Sequence, residues 1–392
     1  MSRQSSLASK KLADTFIRLF FRLPPTVRLI TVGLLLVATL VYIAGLIYDR
    51  RAMAKQAVVA DGENEFLFCF WNVENLFDDK DDKRNSVDEQ YDNPFATNGK
   101  LRDLKYDRIS TALLRMNDGR GPDVIACAEV ESVRAAEMLK EALNMKLAAA
   151  KKDAKLQYKF VAMQNLDAGR HIAPCVISRV NEDVRSVRLV KKPLRILETH
   201  LYVNNSDLCI LAAHWTSQLQ QRDGTDGDSG REKYANALYE RFRELNKRSL
   251  DADVLVCGDF NDTPDADPVR KNLGAIADKS KVKPSNDPNN EPFLLNLMGG
   301  KDPTKYGTIW YSGRPLIYDQ ICVSPGMLNS KGWGVDPDSV ATITKDLMRG
   351  GATRREPWRF GDPDRDLRDS ERGFADHFPI VVKLKVQPLL KK

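Results

Sequence analysis

The chain has 392 residues, of which 42% are hydrophobic, enough to bury one large core or two ordinary ones. Its formal net charge of +6 is concentrated in residues 1–55, which contain nine lysines and arginines and two aspartates. The remaining residues contain 51 basic and 52 acidic side chains. This near-neutral part gives no electrostatic argument for nucleic acid as a partner.

The first element along the chain is an apolar segment at residues 29–48, "LITVGLLLVATLVYIAGLIY", which contains no charged side chain. Its 20 residues match the length of a helix that crosses the hydrocarbon layer of a bilayer. The preceding segment, 1–28, has a larger basic excess than the residues after the apolar run. This asymmetry predicts a single transmembrane helix with a cytoplasmic N-terminus and an extracytoplasmic remainder.

Two other interpretations of this apolar segment exist. One is a cleaved signal peptide with "AMA" at 52–54 as the cleavage site, and the other is a buried helix of a soluble domain. The apolar core of a signal peptide usually has only about 7–15 residues. The length of the segment therefore favours an uncleaved anchor.

After a linker at 49–63, the sequence predicts one α/β domain at 64–387, with no repeats and no break in composition. Strand-like apolar runs recur along it, at 65–71, 123–129, 157–163, 173–178, 194–203, 207–214, 253–259, 316–323 and 379–386. Apolar residues at helical spacing interrupt these runs at 106–116, 135–147 and 230–245.

The cysteines lie inside these strand-like runs, and none belongs to a CxxC pair, at Cys69, Cys127, Cys175, Cys209, Cys257 and Cys322. Such positions suit small buried hydrophobic side chains, so we expect free thiols rather than a disulfide framework. Free thiols are more typical of a reducing compartment, which argues against export of the domain.

Polar side chains stand at the ends of several strand-like runs, namely Asn72, Glu74, Glu129, Glu131, His214, Asp259, Asn261, Asp319, Asp376 and His377. Strand alternation places Glu129 on the same face as Cys127, and Asp259 on the same face as Cys257. Carboxylates on a packed face cost free energy unless they are paired or bind a metal. Oxygen ligands of this kind suit Mg²⁺ or Mn²⁺ better than zinc.

Each of these positions also has a purely structural interpretation. Asp259 and Asn261 fit an Asx-turn that closes a strand, and Glu129 fits a salt bridge at a strand end. His214 fits a core histidine with satisfied hydrogen bonds, and the pair Asp376–His377 fits a loop or a helix cap. The recurrence of polar residues at six strand ends favours a functional site.

The order of these motifs resembles the endonuclease/exonuclease/phosphatase superfamily of metal-dependent phosphoesterases. The motifs are "WNVENLFD", "DVIACAEVE", "GDFNDTPD" and "ADHFPIVV", supported by "AAHWTSQ" and "YDQICVS", and the resemblance extends from Glu65 to Val386. It implies a four-layer α/β sandwich of two packed β-sheets flanked by helices. Two motifs depart from the family: "CAEVE" replaces Leu-Gln-Glu, and "YDQICVS" replaces Asp-His or Asp-Tyr.

The resemblance assigns a metal site to this chain. It implies that Glu129 is the principal ligand of Mg²⁺ or Mn²⁺, with Asn72 beside it. Asp376 completes the site directly or through water.

The resemblance also implies catalytic roles for five residues. Asp259 orients and deprotonates the attacking water, and Asn261 hydrogen-bonds a phosphate oxygen. His377, oriented by Asp319, faces the scissile phosphate as acid or base, and His214 donates to a non-bridging oxygen. The implied reaction is hydrolysis of a phosphodiester or phosphomonoester by in-line attack of an activated water.

The sequence leaves the substrate open among nucleic acid, a phospholipid headgroup and a small phosphodiester. The alternative function is a catalytically silent, membrane-tethered binding module on the same scaffold. Retention of Glu129, Asp259 and His377 favours the enzyme.

Overall fold

Two β-sheets form the centre of the part of the chain that the structure describes. The structure, a computed structural model, describes Pro24, Thr26 and Val27 and then residues 59–387, except 61, 85–87, 168, 181–186, 219–226, 288–289 and 350–354. The strands and helices described below all lie within the compact unit Ala57–Lys392.

The described strands are β1 Glu65–Leu76, β2 Val124–Val130, β3 Phe160–Ala162, β4 Ala173–Ser178, β5 Val187–Leu189, β6 Ile196–Val203, β7 Ser206–His214, β8 Asp253–Asp259, β9 Ala275–Ile276, β10 Leu294–Asn296, β11 Ile309–Tyr311, β12 Arg314–Leu316, β13 Asp319–Val323, β14 Trp333–Thr342 and β15 Ile380–Val386. The described α-helices are α1 Glu89–Thr97, α2 Gly99–Leu114, α3 Val133–Ala149, α4 Gly227–Arg248 and the one-turn α5 Pro303–Tyr306. The three predicted helices correspond to α2, α3 and α4.

Both sheets are mixed, and each contains a central parallel pair. The first sheet has the strand order β14-β15-β1-β2-β4-β3, with β1 and β2 parallel. The second has the order β5-β6-β7-β8-β13-β10-β9, with β7 and β8 parallel. The C-terminal ends of a parallel pair meet at one edge of a sheet. The polar residues that follow these strands are therefore brought together in pairs.

The two sheets pack face to face around one hydrophobic core. Cys69, Cys127 and Cys257 lie in this core together with Leu255 and Ile321, all of them fully buried. The alternation of side chains along each strand supplies one apolar face per sheet for this interface. This interface forms the two inner layers of the fold.

Helices form the outer layers. On the first sheet, α3 packs against β3, β4 and α2, and its Leu139 and Leu143 are fully buried. On the second, α4 places Leu238 and Phe242 in a separate apolar cluster with Val256 of β8. The structure thus has two packed, mixed sheets with flanking helices, as the family resemblance implied.

All six cysteines are buried and unpaired. Burial raises the pKa of thiols such as Cys69 and Cys257 above the ordinary range, so they are held in the neutral form. The expectation of free thiols is confirmed. The cysteines serve as small apolar side chains of the core.

The predicted segments 1–28 and 29–48 and most of the linker at 49–63 lie outside the described residues. None of the described helices combines the length and the apolar character needed to cross a bilayer.

Candidate active site

Strand register brings the predicted polar residues together at adjoining ends of the two sheets. In the second sheet, His214 of β7 and Asp319 of β13 both pair with Asp259 of β8. In the first sheet, Asn72 of β1 pairs with Ala128, the neighbour of Glu129. Side chains that are distant in sequence thus meet in one network.

The backbone around this site adopts conformations that few residues accept. Glu129 and Asn261 have positive φ angles of 63° and 50°, in the left-handed region. Gly258 packs so closely on β7 that an added Cβ would lie 2.2 Å from the carbonyl oxygen of Ala213. Strained positions of this kind persist where the surrounding structure enforces them, and they cluster at functional sites.

Asp259 lies at the centre of the network. Its Oδ2 atom accepts a hydrogen bond from Asn72 Nδ2 at 3.1 Å and lies 3.7 Å from the Nε2 atoms of both His214 and His377. Its Oδ1 atom accepts from the backbone N–H of Asn261 at 2.9 Å. Burial raises the pKa of Asp259 to about 6, an effect that the nearby His377 partly offsets.

Glu129 lies beside Asp259 at the mouth of the site. Its Oε1 atom is 3.3 Å from Asn72 Nδ2 and 3.7 Å from His214 Nε2, and its Oε2 atom accepts from the N–H of Asn75 at 3.0 Å. Asn72 therefore reaches both carboxylates as a donor, while its Oδ1 accepts from the N–H of Glu74. Ligation of a metal through that oxygen would require the amide to turn.

His377 is backed by a carboxylate. Its Nδ1 atom lies 2.7 Å from Asp319 Oδ2, and its backbone carbonyl accepts from Trp71 Nε1 at 2.8 Å. Burial alone would lower the pKa of His377, but the carboxylates of Asp319 and Asp259 raise it well above the ordinary value. The imidazole is therefore held in the charged form, with Nε2–H facing Asp259.

His214 is backed by a guanidinium instead. Arg195 Nη1 lies 3.1 Å from His214 Nδ1. Burial and the charge of Arg195 lower the pKa of His214 well below the ordinary value, so this imidazole is neutral. The antiparallel pairing of β6 with β7 brings Arg195 there, next to Ile196, which pairs with Ala213. No sequence motif marks Arg195.

Asp376 belongs to a neighbouring charge cluster. Its Oδ2 atom lies 3.3 Å from Arg359 Nη2, and Arg359 Nε donates to Glu74 Oε1 at 2.8 Å. Beneath this cluster the fully buried Lys105 donates to the carbonyl of Phe374 at 2.8 Å, and burial lowers the pKa of Lys105 to about 8. No sequence motif assigns a role to Glu74, Arg359 or Lys105.

Arg359 also borders a cavity of about 390 Å³. Trp358, Phe360 and Leu367 supply apolar walls, and Arg349 and Arg365 supply further positive charge. The cavity thus adjoins the cluster that contains Asp376. Asp362 and Glu371 line it as well, and Arg365 is paired with Asp362 at 3.0 Å.

Within the described part of the chain, two groups of side chains have potential ligand atoms within 4.8 Å of one another, Asp259–Asp319–His377 and Glu198–His200–Cys209. In the first, His377 is bonded to Asp319 at 2.7 Å and lies 3.7 Å from Asp259, so one imidazolium faces two carboxylates. In the second, Arg241 donates to both oxygens of Glu198, at 2.7 and 2.8 Å, so Glu198 is already neutralised. The second group therefore needs no cation to explain its burial.

Glu129 is a better candidate for metal binding. Its side chain is 14% exposed, and no lysine or arginine of the described part of the chain pairs with it. A partly buried carboxylate without a cationic partner, with further carboxylates nearby, fits a divalent cation with oxygen ligands. The donor set therefore fits Mg²⁺ or Mn²⁺ with Glu129 as the main ligand.

A search of curated proteins found no match. Among solved structures, a humanized D. rerio TDP2 is similar at 13% identity and a TM-score of 0.48, covering 83% of this chain and 100% of its own. A mannosyl-6-phosphatase from Bacteroides thetaiotaomicron is 14% identical with a TM-score of 0.46, covering 81% of this chain and 99% of its own.

A mutant beta toxin from Staphylococcus aureus with bound magnesium ions is 12% identical with a TM-score of 0.47, covering 82% of this chain and 100% of its own. A protein-family model also matches the chain. The family described as "Endonuclease/Exonuclease/phosphatase family" matches residues 67–386, which include every residue of the site. The chain belongs to the endonuclease/exonuclease/phosphatase family.

Proposed function

We propose that the protein is a metal-dependent phosphoesterase that hydrolyses a phosphate ester by in-line attack of an activated water. One observation carries this proposal: the Asp259 carboxylate converges with Asn72 and two histidines, at 3.1, 3.7 and 3.7 Å. A buried base beside two differently charged imidazoles and a candidate metal ligand fits phosphoryl chemistry. Membership of the family agrees with it.

Asp259 is the base of the proposed reaction. It holds the attacking water and takes its proton as the water approaches phosphorus. His377, charged and oriented by Asp319, faces the same carboxylate across 3.7 Å and is the proton source for the departing oxygen.

His214 and Asn261 stabilise charge that develops on the phosphate. Each presents N–H groups near Asp259, where donors fixed in advance lower the barrier most effectively. A bound Mg²⁺ or Mn²⁺ supplies positive charge to the phosphate oxygens, and Glu129, Asp376 and a turned Asn72 are the residues that would hold it.

The proposed substrate is a phosphodiester or phosphomonoester of nucleic acid, a phospholipid headgroup or a small molecule. The cavity beside Arg359 offers room for the part of the substrate beyond the scissile phosphate. Its aromatic wall suits a substrate that carries a planar or apolar group.

Hydrolysis of a panel of phosphodiesters and phosphomonoesters by the full-length chain tests the proposal. We expect turnover with Mg²⁺ or Mn²⁺, loss in excess EDTA and recovery when metal is restored. Glu129→Gln should raise the metal concentration needed for half-maximal rate. Glu137→Gln, which changes a surface glutamate of α3 paired with Lys140, is the matched control and should behave as wild type.

Full activity in excess EDTA would rule out the metal. Absence of activity on every substrate would favour the catalytically silent, membrane-tethered binding module. Unfolding of Glu129→Gln would support a structural salt-bridge role for Glu129.

We further propose that residues 29–48 anchor the protein in a membrane with the N-terminus in the cytoplasm. The uncharged 20-residue run and the basic flank before it support this proposal. A reporter fused after Lys392 should be active outside the cytoplasm. A reporter active only in the cytoplasm would contradict this topology, and the free thiols would then match their compartment.

A further inference from the structure

Arg195 is held in place by contacts on three sides. Its backbone N–H donates to the hydroxyl of Tyr234 on α4 at 3.1 Å, and its Nε also lies within reach of that hydroxyl, at 3.4 Å. Its Nη1 atom faces His214 Nδ1 at 3.1 Å, and its Nη2 atom donates to the carbonyl of Trp215 at 2.9 Å. The guanidinium therefore has a fixed position behind the site.

In the hydrogen bond between Arg195 and His214, only the guanidinium can be the donor. A guanidinium has five N–H donors, has no acceptor and stays charged in proteins. His214 Nδ1 must therefore accept, so it carries no proton. In a neutral imidazole the proton then lies on Nε2. This is the atom that lies 3.7 Å from Glu129 Oε1 and from Asp259 Oδ2.

The carbonyl of Trp215 links Arg195 to Asn261. It accepts from Arg195 Nη2 at 2.9 Å and from Asn261 Nδ2 at 3.1 Å. Because Nδ2 is the only donor group of the Asn261 side chain, this bond fixes which way the amide points. One guanidinium thus orders both side chains that are proposed to donate to the phosphate.

We infer that Arg195 is a positioning residue that holds His214 in the Nε2–H tautomer and orders the Asn261 amide through the Trp215 carbonyl. Both side chains are thereby presented as hydrogen-bond donors. The identity of the acceptor, a substrate phosphate oxygen, rests on the proposed function. The tautomer itself does not.

Nitrogen-15 NMR of the histidine side chains in the full-length protein tests the tautomer without any substrate. His214→Ala assigns the His214 signals. In the wild-type protein we expect a proton on Nε2 and a bare Nδ1. Arg195→Met, which keeps the length of the chain but removes the donors, should populate the Nδ1–H tautomer. The inference would be overturned if His214 of the wild-type protein carried a proton on Nδ1, as the neutral Nδ1–H tautomer or as the imidazolium. It would also be overturned if the Nε2–H form were unaltered in Arg195→Met.

Kinetics test the consequence for catalysis. Removal of one aligned donor commonly costs about 10²–10³ in kcat. Arg195→Met misplaces donors without removing them, so we expect a loss of at least about ten-fold in kcat, smaller than that of His214→Ala, with little change in KM. In the His214→Ala background the same change should cost less than in the wild type. Fully additive losses would contradict a role through His214.

Two further variants keep the test decisive. Arg195→Lys retains the charge, but one ammonium cannot reach both His214 and Trp215, so this variant should give an intermediate tautomer ratio. It replaces Arg195→Met in the test if that variant fails to fold. Arg188→Met is the control, because Arg188 pairs with Glu198 elsewhere in the second sheet. It should change neither the His214 signals nor the rate. A correct tautomer without hydrolysis of any ester would refute the proposed function and leave this inference standing.

Discussion

A histidine lies on each side of Asp259, and the two histidines are in different charge states. His214 and His377 both place Nε2 at 3.7 Å from Asp259 Oδ2. Behind His214 stands the guanidinium of Arg195, and behind His377 stands the carboxylate of Asp319. The first imidazole is held neutral and the second charged. The contact on the far side of the ring, rather than the histidine itself, sets its role.

The two sides also differ in their relation to the candidate metal ligand. Glu129 lies 3.7 Å from His214. The imidazole of His377 instead faces the carboxylates of Asp259 and Asp319. This arrangement suggests a division of labour around Asp259, with metal and neutral donors on the His214 side and proton transfer on the His377 side.

Asp259→Asn should have the largest effect, because both sides depend on this carboxylate. General acid–base assistance is commonly worth about 10²–10⁴ in rate, so kcat should fall at least that far. The fold should be retained, since burial disfavours the charge that the amide removes. Steady-state kinetics combined with thermal unfolding provides the measurement. A rate near that of the wild type would exclude Asp259 as the base.

The double variant Asp259→Asn/His377→Ala tests whether the two residues act as one unit. Catalytic residues that act together are strongly non-additive. The double variant should therefore be little slower than the poorer single variant. A loss equal to the product of the two single losses would mean that Asp259 and His377 act independently.

The next largest contrast concerns stability. His377→Ala leaves the fully buried Asp319 without its cationic partner, and breaking a buried pair in this way costs about 3–5 kcal/mol. His214→Ala leaves Arg195 with Trp215 and Tyr234 as acceptors, so its cost should be clearly smaller. Denaturant unfolding of the two variants measures the difference. Equal losses of stability would contradict the proposed difference between Asp319 behind His377 and Arg195 behind His214.

Adding Asp319→Asn to His377→Ala provides the matched control for that result. The amide removes the stranded charge while it keeps the shape of the side chain. Part of the lost stability should return, whereas activity should not. No recovery would assign the destabilisation to lost packing of the imidazole.

Asp207→Asn should have the smallest effect. His200 is also backed by a carboxylate, with Asp207 Oδ1 at 2.9 Å from Nδ1, but it lies outside the site. Burial opposes its charged form, yet Asp207, Cys209 and Glu198 raise the pKa of His200. Because the Asp207 side chain is 44% exposed, its loss should cost at most about 1 kcal/mol, with unchanged kcat.

The raised pKa of His200 determines how the stability penalty of Asp207→Asn depends on pH. The stability from charged His200 is fully present below its unfolded pKa of about 6.5 and is lost as the pH rises through the folded value. The penalty of Asp207→Asn should therefore be full near pH 6 and shrink at alkaline pH. Unfolding curves across this range test it, and a penalty that grows with pH would contradict the assignment.

The sequence predicts the apolar strands and the polar residues that follow them. Local patterns encode an apolar run that stops at Asp259 or Glu129, and family motifs add their roles. The supporting contacts have no such signature. Arg195 reaches His214 only through strand pairing, and Arg359 reaches Glu74 across 285 residues. In the sequence, an arginine before a strand or in a polar loop cannot be distinguished from a solvent-exposed arginine, because its partner is known only from the fold.

The position of the metal tests the division of labour most directly. Crystals soaked in Mn²⁺ would show the ion as a peak in an anomalous difference map. We predict a peak bound to Glu129 on the His214 side, with the hydrogen bond between His377 and Asp319 intact. A peak among Asp259, Asp319 and His377, the alternative cluster within 4.8 Å, would contradict it, as would the absence of any peak at Glu129.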